Sequence, residues 1–213
     1  MARRALRKLD PSLDLTGWLR TFEDLPTPWN PAAIFGRLAP LEVEVGTGKG
    51  LFLAAAAETT PQHDFLGIEV SRKYAHYAAG RLAKRGLTNA CLVHGDALQV
   101  FRERLPDASL AAVHVYFPDP WWKARHKKRR VMNAAFVSDI ERTLVPGGRL
   151  HFWTDVEEYF ETTVELVKQA TRLEGPLAVP ERQAQHDLDY RTHFERRTRL
   201  SGEAVYRAEF MRA

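Results

Sequence analysis

The stretch LEVEVGTGKG, residues 41–50, decides the fold. Its first half alternates apolar Leu41, Val43 and Val45 with Glu42 and Glu44, the period of a strand. Its second half carries Gly46, Gly48 and Gly50, which let a backbone turn tightly and approach a ligand closely. An Ala-rich, helix-like segment follows at 51–58. Strand, glycine turn and helix together open an α/β sheet. Two phosphate-binding readings of the glycines fail. A P-loop needs G-x-x-x-x-G-K-[ST], but Val43 stands where its first glycine belongs and Gly50 where Ser or Thr belongs. A dinucleotide fingerprint needs G-x-G-x-x-G, and Leu51 occupies its third glycine position.

Outward from this stretch the rhythm continues. Residues 64–70 read as a strand and 71–85 as a helix with Ser71 as N-cap. A strand at 90–94 precedes a short helix at 97–104, and the apolar run 110–117 has the character of a central strand. Residues 133–144 are helical. Pro146-Gly147-Gly148 turns the chain into a strand at 149–154, then come a helix at 155–171 and a late strand at 204–211. Such alternation predicts a doubly wound parallel sheet covered on both faces, with ligands bound outside the C-terminal strand ends. Residues 1–40, punctuated by Pro26, Pro28, Pro31 and Pro40, read as an irregular arm.

Composition sets the bounds. The chain of 213 residues is 45% apolar and 27% charged, which suits a soluble globular domain that buries its own core. No apolar run approaches the roughly 18–20 residues of a membrane span. The basic N-terminus lacks the apolar core of a secretory signal, and the single Cys91, in an apolar run, cannot pair within the chain. A cytoplasmic protein, monomer or homodimer, is expected. The formal charge of +4 is concentrated in two clusters, one at Arg3, Arg4, Arg7 and Lys8 and the other at 125–130. Clusters of this kind attract phosphate backbones. The histidines show no metal pattern, since His186 and His193 lack helical i, i+4 spacing.

The spacing E-x-G-x-G-x-G from Glu44 resembles the first motif of class I methyltransferases, which use S-adenosylmethionine. That cofactor has no phosphate. A carboxylate suits its cationic methionine end, and glycines permit backbone contacts. Two further acids end the next strands. Glu69 closes FLGIEV, where an acid can accept from ribose hydroxyls. Asp96 follows the third strand in HGDA, within reach of an adenine amino group, although each acid also suits a helix cap or a solvated loop.

The fourth strand runs into YFPDPWWKARHKKRR, residues 116–130. Asp119 stands between two prolines, and Lys123, Arg125, His126, Lys127, Lys128, Arg129 and Arg130 follow. A lone acid beside many cations suits an acceptor whose reacting part is a base and whose remainder is a polyanion. Trp121 and Trp122 are candidates for stacking on an exposed base, or for the core.

FPDPWWKARHKKRR resembles the signature of the bacterial tRNA (guanine-N7)-methyltransferase family. GGRLHFWTDVEEY is similar to that family's next block, and Thr192-His193-Phe194-Glu195 to its C-terminal T-x-F-E element. The resemblance implies a class I, Rossmann-like methyltransferase domain over 41–213, with a mixed sheet and helices on both faces. It implies methylation of the variable-loop guanine at tRNA position 46, with S-adenosylmethionine as cofactor and tRNA as partner. It further implies cofactor contacts at Glu44, Glu69, Asp96 and Asp119, with Asp119 as active-site acid. Lys123, Asp155, Thr192, His193, Phe194 and Glu195 would then bind substrate. Guanine N7 carries a free lone pair, so no general base is needed; Asp119 is expected to orient the base and to offset the positive charge that develops on its ring. Asp155 and Glu195 are candidates for the same donor edge. For Asp155 the plain alternative is an acid opening a helix, and for the T-x-F-E element a capping box. Methylation of another RNA, or a non-catalytic RNA-binding module, are the rival readings.

Overall fold

The computed structural model describes residues 6, 10, 12–179 and 192–213. Arg3, Arg4, Arg7, Lys8, His186 and the side chain of His193 lie outside the described part.

Among the described residues, eight strands form one mixed sheet: β1 (Leu19–Thr21), β2 (Leu41–Val45), β3 (Asp64–Glu69), β4 (Ala90–His94), β5 (Leu110–Tyr116), β6 (Leu144–Thr154), β7 (Glu174–Leu177) and β8 (Tyr206–Met211). The α-helices described between them are α1 (Ala32–Phe35), α2 (Leu51–Thr59), α3 (Arg72–Arg85), α4 (Ala97–Glu103), α5 (Ala134–Thr143), α6 (Glu157–Ala170) and α7 (His193–Leu200). The strand order is β1-β4-β3-β2-β5-β6-β8-β7. From β1 to β6 neighbours run parallel, and β8 and β7 close the edge antiparallel. This is the doubly wound α/β sheet that the alternation predicts. The antiparallel edge makes it mixed.

Side-chain alternation divides the core. Val43, Val45, Ile68, Val93, Val113 and Val115 pack with Val100, Phe101, Phe136, Ile140 and Tyr159 from α4, α5 and α6. Phe65 and Leu92 pack with Leu53 of α2 and with Ala78, Ala79 and Leu82 of α3. The same face carries a polar brace across β2 and β5. Glu42 accepts from His114 and His63, each at 2.6 Å. Burial pushes the Glu42 carboxyl up, but the hydrogen bonds and charges of the two histidines outweigh it and bring it to about 2.

Among the described residues of the first forty, part of the chain joins the sheet. Leu19–Thr21 pair in parallel with Leu92–His94, so β1 extends the sheet by one edge strand. Trp18 Nε1 donates to the Leu87 carbonyl at 2.8 Å, Leu25 is buried in the core, and Arg37 reaches the buried Asp64. A strand of three residues carries no readable period, and its place is set by the unpaired edge of β4 rather than by its own sequence.

Two glycines of the opening stretch are constrained differently. Gly46 and Gly50 both have left-handed φ, at 78° and 66°. A Cβ on Gly46 would meet nothing within 4 Å, whereas one on Gly50 would lie 2.8 Å from Ala78 Cβ of α3. Gly46→Ala should therefore cost only the conformational strain of about 1–2 kcal/mol. Gly50→Ala should cost clearly more, because α2 must move off α3. Urea unfolding of both variants checks this, and equal losses would show that the α2–α3 contact yields freely.

Candidate active site

The sheet order sets the rim. At the C-terminal strand ends the order is Asp96 after β4, Glu69 on β3, the glycine turn after β2, Asp119 after β5 and Asp155 after β6. β2 lies between β3 and β5, so the order reverses here, and open α/β sheets bind ligands at such a point.

On the β4-β3-β2 side the glycine turn is strapped from two directions. Glu69 Oε2 accepts from Gly48 N at 2.8 Å and its Oε1 from Ser71 N at 2.8 Å. Arg81 Nε donates to the Lys49 carbonyl at 3.0 Å. Ser71 occupies the N-cap position of α3 but makes no side-chain cap bond. Each Glu69 oxygen keeps a second lone pair for a hydroxyl donor. Glu44 is buried, and its Oε2 has no hydrogen-bond partner among the described residues. Burial, and secondarily the charge of Glu69, push its carboxyl well above the usual range. An unpartnered buried carboxyl is costly, and a bound cation would relieve it. Asp96 caps α4, its Oδ1 accepting from Leu98 N at 2.9 Å. Its other oxygen makes no hydrogen bond among the described residues. This donor set fits S-adenosylmethionine: an unpaired buried acid for an ammonium group, an acid for a diol and glycines that admit close backbone approach.

On the β5-β6 side the backbone is strained. Phe117 and Trp121, neither a glycine, have φ of 50° and 46°. Left-handed backbone at bulky residues persists only where the surroundings hold it, and it gathers at functional sites. Phe117 N donates to the Trp153 carbonyl at 2.8 Å, and the Phe117 ring lies 5.0 Å from that of Phe194. The T-x-F-E element on α7, far away in sequence, therefore meets the FPDP loop. Asp119 is exposed and makes no hydrogen bond or ion pair among the described residues.

The two tryptophans part company. Trp121 is half-buried, edge-on to His126 at 5.9 Å, with the Arg129 guanidinium 5.1 Å from its ring centroid. Trp122 is 70% exposed. The basic run is a short 3-10 helix, Ala124–Arg129, with Lys123 at its start. Lys123 and Lys128 are exposed and make no ion pair among the described residues. Arg125 is exposed and donates to His126 Nε2 at 3.3 Å. Lys127 is exposed but pairs with Glu158 at 2.7 Å.

Arg130 departs from the phosphate-binding role expected. It is buried, with Nη2 2.6 Å from Glu158 Oε2 and Nε donating to the Pro120 carbonyl at 2.8 Å, and it lies over the Tyr159 ring at 4.3 Å. A guanidinium held by so many partners is not presented to a polyanion. Glu158 is the residue that sequence reading missed, because an acid in the first turn of a helix looks like an ordinary dipole partner.

Asp155 is half-buried and lies just before Val156, the N-cap of α6, outside the helix's first turn. Burial pushes its carboxyl up. Thr192 caps α7, its side chain accepting from Glu195 N at 2.9 Å, as in half of a capping box. Glu195 is 2% exposed and lies 3.3 Å from Arg199 and 3.6 Å from Arg207. The structure thus brings Phe194 to the Asp119 loop and directs Glu195 toward arginines.

Solved structures share this fold. A SAM dependent methyltransferase from Aquifex aeolicus superposes with a TM-score of 0.56 at 15% identity, covering 87% of this chain and 91% of that one. An aminoglycoside resistance methyltransferase gives 0.56 at 20% identity, covering 84% and 90%. The fold is the class I methyltransferase fold. Residues 38–208 match a family described as putative methyltransferases. A tRNA (guanine-N(7)-)-methyltransferase of Rhodopirellula baltica is 53% identical over 213 residues, covering 97% of this chain and 79% of that protein. One of Nitrosococcus oceani is 39% identical over 197 residues, covering 92% and 82%. The chain belongs to the tRNA (guanine-N7)-methyltransferase family. Among the described residues no helix is long and apolar enough to cross a membrane.

Glu69→Ala removes the strap on the glycine turn and a carboxylate whose free lone pairs suit a diol. S-adenosylmethionine affinity should fall by about 1.5–3 kcal/mol, the scale of a charge-assisted hydrogen bond. Titration calorimetry checks this, and an unchanged affinity would remove Glu69 from the cofactor site.

Proposed function

We propose that this protein methylates N7 of a guanine in tRNA, and that this guanine is the variable-loop base at tRNA position 46. The observation that carries the reading is the exposed Asp119, held on a strained loop one strand from the glycine turn and followed by exposed cations. Family membership supports tRNA as the substrate. The position within tRNA rests on the resemblance of FPDPWWKARHKKRR to the family signature.

In this reading Glu44, Gly46, Gly48, Gly50, Glu69 and Asp96 hold the cofactor. When bound, S-adenosylmethionine supplies a methyl group on a sulfonium, open to in-line displacement. Guanine N7 attacks with its lone pair and loses no proton, so the chain need not supply a general base. Asp119 accepts from the N1–H and N2–H edge of the guanine and orients N7. It also stabilises the positive charge that grows on the ring, in a place where a fixed carboxylate requires no reorganisation. Asp155, one strand further along the rim, is raised by burial and is suited to a neighbouring polar contact rather than to a solvated charge. Lys123, Arg125 and Lys128 are the exposed cations assigned to phosphates. Trp122 is the tryptophan left available to stack on an unpaired base.

Asp119→Asn keeps the shape and removes the charge. With tRNA and methyl donor saturating, its single-turnover rate should fall by about 10²-fold or more. A wild-type rate that climbs with pH in a step abolished by Asp119→Asn would instead make Asp119 a base. Mass spectrometry of nucleosides decides the target: N7-methylguanosine should form on a tRNA transcript and vanish when guanine 46 is replaced by adenine. Persistence of the product would move the target to another guanine.

Replacing Lys123 and Lys128 together by Ala should flatten the salt dependence of tRNA binding by up to about 2 units of log–log slope. S-adenosylmethionine affinity should be unaffected. An unchanged slope would leave both lysines as a solvated face.

A further inference from the structure

The loop that carries Asp119 has little to hold it. After Phe117 N has bonded to β6, the only hydrogen bond to main chain before Lys123, among the described residues, is the one from Arg130 Nε to the Pro120 carbonyl at 2.8 Å. That carbonyl belongs to the Pro120–Trp121 peptide, one residue past Asp119, and the proline ring fixes φ between the two, so the bond limits how far the acid can move. Arg130 is in turn fixed to α6. Its Nη2 and Nη1 lie 2.6 Å and 3.3 Å from the two oxygens of Glu158, its Nη1 lies 3.5 Å from Thr162 Oγ1, and its plane lies over Tyr159. The fork geometry is the strong, directional form of an ion pair. Glu158 also takes Lys127 at 2.7 Å, so one carboxylate holds two cations of the basic run. The two bonds, first to Arg130 and then to Lys127, bring its carboxyl to about 2, so it is ionised at any working pH.

We infer that Glu158 is a positioning residue for the methyl transfer, acting through Arg130 and the Pro120 carbonyl to set the Asp119 loop, while it withholds Lys127 and Arg130 from the polyanion. This rests on the reading of Asp119 given above. It makes binding and chemistry respond in opposite directions. Without Glu158 the nearly buried Arg130 loses its counter-charge, the loop loses its anchor and Lys127 is released to meet phosphate.

The test is Glu158→Ala beside Arg130→Lys, each compared with the wild-type chain on a tRNA transcript. For Glu158→Ala the single-turnover rate should fall about 10- to 100-fold, the scale of a small misplacement of a reacting group. S-adenosylmethionine affinity should stay within about twofold, and the salt slope of tRNA binding should steepen by up to about 1 unit for the freed Lys127. Arg130→Lys keeps the charge and loses the fork. Its rate should fall similarly and its salt slope should stay as in the wild type. A residue that only supports the fold would lower cofactor affinity, tRNA affinity and rate together, and that result overturns the proposal. So does an unchanged rate in either variant, and so does failure of both variants to fold. A wild-type chain that binds tRNA and leaves it unmethylated would sink the function proposed above, not the clamp, whose effect on the salt slope is still read.

Discussion

The site depends on β2 lying between β3 and β5 in parallel. Glu44 pairs in register with Gly67 on one side and His114 on the other, so the three strands end at one level. Helices α2 and α3 fill one face of that triplet and α4, α5 and α6 the other. The Glu42 carboxylate, shared between His63 and His114, adds a polar tie between β2 and β5. Because the order reverses at β2, the glycine turn and the FPDP loop leave neighbouring strands without a helix between them. That crevice is where an open α/β sheet of this order binds its ligands.

Charge is divided along the same line. The β4-β3-β2 side presents acids, and Glu44 lies buried with no partner for one oxygen among the described residues. The β5-β6 side presents cations, mostly exposed. Two glutamates mark the contrast. Burial pushes Glu44 up well above the usual carboxyl range, while Arg130 and Lys127 bring the half-exposed Glu158 down to about 2. The first is a buried carboxyl that a bound cation would relieve. The second is a completed ion cluster, and completed clusters position rather than bind.

Several residues also serve the fold. Glu69 straps the glycine turn, Asp96 caps α4, and Thr192 caps α7. None of these roles uses every acceptor site on the side chain, since a carboxylate offers about four and a hydroxyl two. A residue that orders an empty loop and later meets a ligand spares part of the ordering cost of binding. Glu195 differs, because its burial beside Arg199 and Arg207 resembles an anchor for α7 and, through Phe194, for Phe117.

The sequence by itself determined the strand–helix rhythm, the failure of both phosphate loops at 41–51 and the acids at successive strand ends. These are short-range features: side-chain periodicity reports which face is buried, and glycine reports where φ turns positive. Tertiary structure alone decided which neighbours the strands took. It made Leu19–Thr21 an edge strand, brought Phe194 to Phe117 across much of the chain, and separated Trp121 from Trp122 by a left-handed turn. It also turned Arg130 away from the cations beside it, toward a glutamate 28 residues further on. In sequence Arg130 is one more charge in KKRR. Its partner is set by how α6 packs beneath the loop, and local pattern holds no record of that, because it is blind to contacts between distant segments.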